Sequence, residues 1–204
     1  MRKLTFYLLL IISVLLLSVS CNNNNTVEPP DEFGLTYDAL LSELNFARTN
    51  PQEYVKLIEA MLPTYNGHEG KVAIEEAIAS LKTQQPVNPL SLNTGINKAA
   101  KYHCEDQKKT GAVGHYGSNN ETPATRMSMF GTWNAVGENI YYGSNIEPRK
   151  MVIAFIIDDG VSNRGHRINI YDPRWTDVGF GWGSHPKYGV MCVTDFAKDY
   201  KIKN

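Results

Sequence analysis

Apolar positions along the chain fall into one continuous run and several periodic ones. The continuous run, Phe6 to Leu17, follows Arg2 and Lys3 and is followed by Ser18, Ser20 and Cys21. At about 1.5 Å rise per residue it covers roughly 18 Å, short of the ~30 Å hydrocarbon core of a bilayer. The layout therefore predicts a cleaved secretory signal over residues 1–20 and not a membrane span. Beyond it, Leu40, Leu41, Leu44 and Ala47 take the spacing of one helix face, with Thr36 able to cap the first turn. Asn50-Pro51 interrupts this helix. A second begins at Pro51, buries Tyr54, Val55, Leu57, Ile58 and Met61, and ends before Pro63. A surface excursion at residues 66–70 leads to a short helix over 71–81 and a connector over 84–89. A third strong helix spans Leu92 to Thr110, with Asn93 as cap, Ile96, Ala99, Ala100 and His103 on one face, and Gly111 as its stop. Residues 111–135 read as a long polar loop, uncommon in a compact domain without a functional reason. Pro148 opens a helix through Ile157, and Val178–Gly181 and Tyr188–Phe196 read as a two-stranded hairpin. Helices early and strands late predict an α+β class, with one domain over 36–204.

Charge narrows the list of partners. The 20 Lys and Arg balance 21 Asp and Glu, so no electrostatic case exists for nucleic acid. Loss of residues 1–20 leaves 18 basic against 21 acidic groups. Leu17-Ser18-Val19-Ser20-Cys21 resembles a bacterial lipobox, with Ser18 where Leu is usual. On that reading Cys21 is acylated and residues 21–35, polar and Pro-containing, form a tether to the membrane; the alternative is an ordinary secreted cysteine. Cys104 and Cys192 then remain, either as a disulfide or as two buried free thiols.

Three short stretches place polar groups beside glycine: Gly114-His115-Tyr116-Gly117, Gly137-Glu138-Asn139-Ile140, and Asp158-Asp159-Gly160 through Arg164-Gly165-His166-Arg167. Two imidazoles with nearby carboxylates suit a divalent cation: the ring nitrogens ligate and a carboxylate orients each ring. The 51 positions between His115 and His166 make spacing alone a weak signal, and a lone His near Gly is more often structural. His103 reads as a packed, hydrogen-bonded core residue, and His68 and His185 as solvated loop residues. Arg126 and Arg167 either pair with acids near the cleft or are solvated, Asn139 fixes backbone geometry, and Trp133, Trp175 and Trp182 are core or rim residues.

The chain resembles bacterial members of the cysteine-rich secretory protein, antigen 5 and pathogenesis-related family, the CAP or SCP domain. The likeness is carried by Asn45-Phe46-Ala47-Arg48-Thr49-Asn50-Pro51, Leu90-Ser91-Leu92-Asn93, Gly114-His115, Arg126, Gly137-Glu138-Asn139-Ile140, Gly165-His166-Arg167-Ile168-Asn169-Ile170 and the closing Asp195-Phe196-Ala197, in that order over about residues 38–198. The resemblance implies a three-layer α-β-α sandwich with a central, mainly antiparallel sheet and a loop-lined cleft. It also implies a cleft tetrad of His115, Glu138, Asp158 and His166, in which Asp158 stands where Glu is commoner and Asp159 competes for the role.

Two function classes follow. The first is an exported, envelope-anchored binding module whose cleft holds a divalent cation, zinc, through His115 and His166, and which recognises a protein, glycan or lipid. The second is a metal-assisted hydrolase of peptides or esters with Glu138 or Asp158 as base, and lipid or sterol carriage is a further alternative. The hydrolase reading lacks a His-Glu-x-x-His helix and a Gly-x-Ser-x-Gly elbow, and Ser118 near His115 is its one conceivable hydroxyl nucleophile.

Overall fold

A computed structural model describes residues 31–203; the signal segment, Cys21 and most of the tether lie outside the described residues. The helix-forming signals act as the pattern predicts. Thr36 accepts a hydrogen bond from the Ala39 amide and starts α1 (Tyr37–Thr49), and Pro51 opens α2 (Pro51–Met61). The third helix, α3 (Val72–Thr83), and a two-residue strand, β1 (Ser91–Leu92), precede α4 (Thr94–Thr110). Helix α4 is capped by Asn93 and closed by Gly111 in the left-handed conformation.

The segment read as a long polar loop is partly structured. Thr122 caps and Pro123 starts α5 (Pro123–Phe130), followed by β2 (Gly131–Thr132) and a nine-residue strand, β3 (Ala135–Gly143). Then come α6 (Pro148–Ile157), a short α7 (Gly165–Tyr171), β4 (Asp177–His185), β5 (Gly189–Lys198) and β6 (Lys201–Ile202). The expected hairpin is thus the centre of a four-stranded sheet in the order β1-β4-β5-β3, antiparallel except for the β1–β4 pair, while β2 and β6 form a separate ribbon.

Alternation along β5 divides the core. Val190, Cys192 and Phe196 enter the main cluster with α1, α2, α3, α6 and α7, and Met191, Val193 and Ala197 face α4 and α5. The result is the α-β-α sandwich. On the α4 side, β4 carries glycines: a Cβ at Gly181 would stand 2.3 Å from the Lys101 amide nitrogen and 2.4 Å from the Ala100 carbonyl carbon, so only glycine lets the helix lie this close. Cys104 and Cys192 are both buried free thiols, which excludes the disulfide alternative: Cys104 packs with Met191 and Val193, and Cys192 points to the opposite face of β5. Arg48 is fully buried without a carboxylate; its Nε donates to Asn88 O and its Nη1 to Ile170 O, tying α1 to α7. Among the described residues no helix is long and apolar enough to cross a membrane.

Candidate functional site

The four tetrad residues assemble as two histidine–carboxylate arms on either side of β3, an edge strand of the sheet. In the first arm, Glu138 projects from β3 toward α4 and α5, and His115 comes from the turn after α4. His115 Nδ1 lies 2.7 Å from Glu138 Oε1, and Arg126 of α5 donates from Nη2 to Glu138 Oε2 at 2.5 Å. Burial pushes the Glu138 carboxyl up, but the His115 hydrogen bond and the Arg126 guanidinium outweigh it and leave its pKa below the ordinary value. Arg126 also donates from Nη1 to the carbonyl oxygens of His115 and Glu121, fixing the backbone that carries the imidazole.

A further network holds the turn. Gly114, at φ +92, donates its amide to the Tyr142 hydroxyl at 2.9 Å, and its carbonyl accepts from Gln107 Nε2 at 2.7 Å. His103 Nε2 stands 2.9 Å from the same carbonyl, and Tyr142 donates to Gln107 Oε1 at 2.8 Å. His103 is the packed core histidine that the sequence predicts; burial, then the Arg126 charge, lowers its pKa.

In the second arm Asp158 ends α6 in the left-handed conformation, φ 56, which Asp tolerates better than most residues. Its Oδ1 is 2.6 Å from His166 Nδ1, and its Oδ2 accepts from the His166 amide at 2.9 Å. The His166 ring packs 5.2 Å from that of Phe155. Asp158, and not Asp159, is therefore the acid paired with His166; Asp159 turns away to accept from the His68 and Glu69 amides. Asn139 joins the arms: its Nδ2 donates to His166 O, and Asn169 Nδ2 donates to Asn139 Oδ1 and to Glu138 O.

Each ring thus carries its Nδ1 proton toward a carboxylate, leaving Nε2 free of hydrogen-bond partners among the described residues. The carboxylate oxygens are committed to imidazole, guanidinium or amide donors, and among the described residues no group of three or more His, Cys, Asp and Glu could hold a metal ion. Beside the second arm lies a cavity of about 650 Å³ lined by Met61, Tyr65, Ile153, Ala154, Ile157 and Asp159, among others.

Three expectations are corrected. His185 is buried, not solvated, because its Nε2 meets Ala112 O at 2.9 Å and Tyr142 and Tyr188 flank its ring. Arg167 neither pairs with an acid nor faces solvent: its guanidinium donates to the carbonyls of Ile156, Ile157 and Ala73, the first two of which the end of α6 leaves without helical donors. Ser118 is no nucleophile for His115, since its hydroxyl donates to Asp106 Oδ1 at 2.5 Å. Tyr142, Gln107, Asn169 and Asp195 also belong to the site although the sequence pattern assigns them no role there; only Asn169 and Asp195 carry a signal, standing in stretches that bear the family likeness.

Residues 41–196 match the cysteine-rich secretory protein family, CAP. YkwD of Bacillus subtilis strain 168, an uncharacterised protein, is 28% identical over 118 residues, which are 57% of this chain and 43% of YkwD. The chain thus spans less than half the length of that relative. An extracellular SCP-domain protein from Bacillus anthracis is similar at 17% identity and TM-score 0.44, over 62% of this chain and 37% of its own. An outer surface protein of Borrelia burgdorferi is similar at 16% identity and TM-score 0.45, over 72% of this chain and 92% of its own.

Proposed function

The chain belongs to the cysteine-rich secretory protein family, and from that premise we propose that it is an exported, envelope-tethered binding module, not a catalyst, whose cleft presents two oriented imidazoles. The observation that carries this reading is the pairing of each imidazole Nδ1 with a buried carboxylate, at 2.7 Å for His115 and 2.6 Å for His166. Such pairing fixes the tautomer and ring plane and leaves Nε2 as the ligating atom, the arrangement found behind metal-bound histidines. The donor set fits a divalent cation, zinc, held by His115 and His166 alone. With two protein ligands the site is weaker than one with three or four, and its other positions belong to water or a bound partner. When bound, the ion would supply a Lewis-acid anchor for an oxygen of that partner, a protein, glycan or lipid.

The committed oxygens of Glu138 and Asp158 support orienting roles over ligation or general base chemistry. Among the described residues the candidate side-chain nucleophiles are out of position: Ser118 is bonded to Asp106, and burial raises the Cys104 and Cys192 thiols, the latter to about 12. The apolar cavity beside the second arm supports lipid as the alternative partner class.

Calorimetric titration of zinc into the full chain and into His115→Ala tests the cation. The expected result is a site in the wild type whose affinity falls as pH drops through the His range, since protonated imidazole cannot ligate, and whose heat is lost in the variant. Equal heats overturn it. Mass spectrometry of the native protein tests the tether, which an unmodified Cys21 removes.

A further inference from the structure

We propose that Asp195 is a third member of the first arm: a carboxylic acid that stays protonated at neutral pH, donates to Glu138, and so positions that carboxylate for His115. Glu138 and Asp195 are directly paired residues of antiparallel β3 and β5 and share the face under α4. Such pairs hold their Cβ atoms about 4.5–5.5 Å apart. Both side chains are buried, and on β4 the residue opposite Asp195 is Gly179, which contributes no side chain.

Among the described residues neither Asp195 oxygen receives an N–H or O–H. The group directly opposite it on β3 is the Glu138 carboxyl, whose negative charge disfavours a second one on Asp195. Two carboxyls buried as directly paired neighbours are best accommodated with one proton between them.

The surrounding charges agree. Arg126 is the one cation buried against the pair among the described residues, and its Nη1 and Nη2 are spent on two carbonyls and on Glu138. From α4 come His103, whose pKa burial lowers, and Cys104, whose thiol burial raises; from the C-terminal segment comes Tyr200, pushed up to about 12, whose hydroxyl donates to Met127 O. His115 faces Glu138 from the turn. One guanidinium against two buried carboxylates would leave an uncompensated charge in the core, which protonation of one acid removes. Glu138 holds the His115 and Arg126 bonds, so the proton resides on Asp195, where burial and then the Glu138 charge raise the pKa well above the carboxylate range.

This inference does not depend on cation binding, and neither do its tests. Carbon-13 NMR of the Asp195 carboxyl, assigned with Asp195→Asn, is expected to show the protonated form across neutral pH; titration in the ordinary carboxylate range, near 3.9, overturns the proposal. Thermal unfolding gives an independent reading. Above about pH 4 the unfolded wild type releases a proton that the folded state retains, so wild-type stability falls relative to Asp195→Asn as pH rises. A stability difference between the two that does not move in this direction with pH overturns the proposal. The positioning role predicts that Asp195→Asn, whose amide can still donate, keeps the nitrogen-15 signature of the His115 Nδ1–H tautomer and that Asp195→Leu loses it. Identical spectra in the two variants contradict that role.

Discussion

The two arms reach the same imidazole geometry by different physical means. In the first, a buried guanidinium balances the Glu138 charge, a protonated partner is proposed for it, and His115 stands on a turn with its side chain 48% exposed. In the second, among the described residues, no guanidinium reaches the Asp158 carboxylate, Arg164 donating instead to the Asp158 backbone carbonyl at 2.9 Å: the carboxylate charge is met by the His166 ring and by backbone amides at the start of α7, and the His166 side chain is only 21% exposed. One arm relies on a buried side-chain ion pair that α5 must deliver. The other relies on a local turn in which the carboxylate and its donors lie eight or nine residues apart. The first therefore depends more on distant parts of the fold, and the second on the backbone of one loop.

The largest expected effect breaks the first arm. Arg126→Met leaves Glu138 buried without its cation, and chemical denaturation should show a loss of about 3–5 kcal/mol, the usual consequence of removing one partner from a buried pair. Arg126→Met with Glu138→Met together should recover much of it, because no charge is then stranded. The wild type has its own acid limb. Glu138 ionises below its ordinary pKa in the folded state, so the stability it contributes is present above the unfolded Glu pKa of about 4.3 and lost as pH falls through the lower folded value. Glu138→Gln should flatten that limb.

A smaller effect belongs to the clamp on the His115 turn. Tyr142→Phe removes the acceptor for the Gly114 amide and the donor to Gln107, at a cost of about 1–2 kcal/mol in urea unfolding. Amide hydrogen exchange should rise at Gly114 while the amides that Asp158 holds stay protected. The smallest effect is in the second arm. Asp158→Asn keeps an acceptor and tolerates positive φ, so stability should fall by only about 1 kcal/mol, while NMR should show His166 losing its fixed tautomer. A loss as large as that of Arg126→Met would mean that the arms do not differ in construction.

Much of the candidate site was legible before the fold. His115, Glu138, Asp158 and His166 stand in short polar stretches beside glycine, and their order along the chain matched a known family. The strand that carries Glu138 was not legible. Ala135–Gly143 places Gly137, Glu138 and Asn139 at and beside its centre, and its polar residues are satisfied by Arg126 and Asn169, which lie 12 to 31 positions away in sequence. Local patterning cannot register a polar residue whose compensation is distant. For the same reason His185 and Arg167 read as exposed: a ring or a guanidinium satisfied by backbone carbonyls leaves no sequence trace.

The sequence by itself determined helices α1 to α4 and α6, the β4–β5 hairpin, the family and the choice of His115, Glu138 and His166 as candidates, because these depend on periodicity, capping chemistry and residue type over a few positions. Tertiary structure alone decided which acid serves His166, that the two thiols face opposite sides of β5, that β3 is an edge strand with an arm on either face, and that Asp195 lies buried opposite Glu138. Those outcomes depend on which side chains meet across the sheet, and a one-residue shift in the β3–β5 register would reverse them by turning every side chain to the other face.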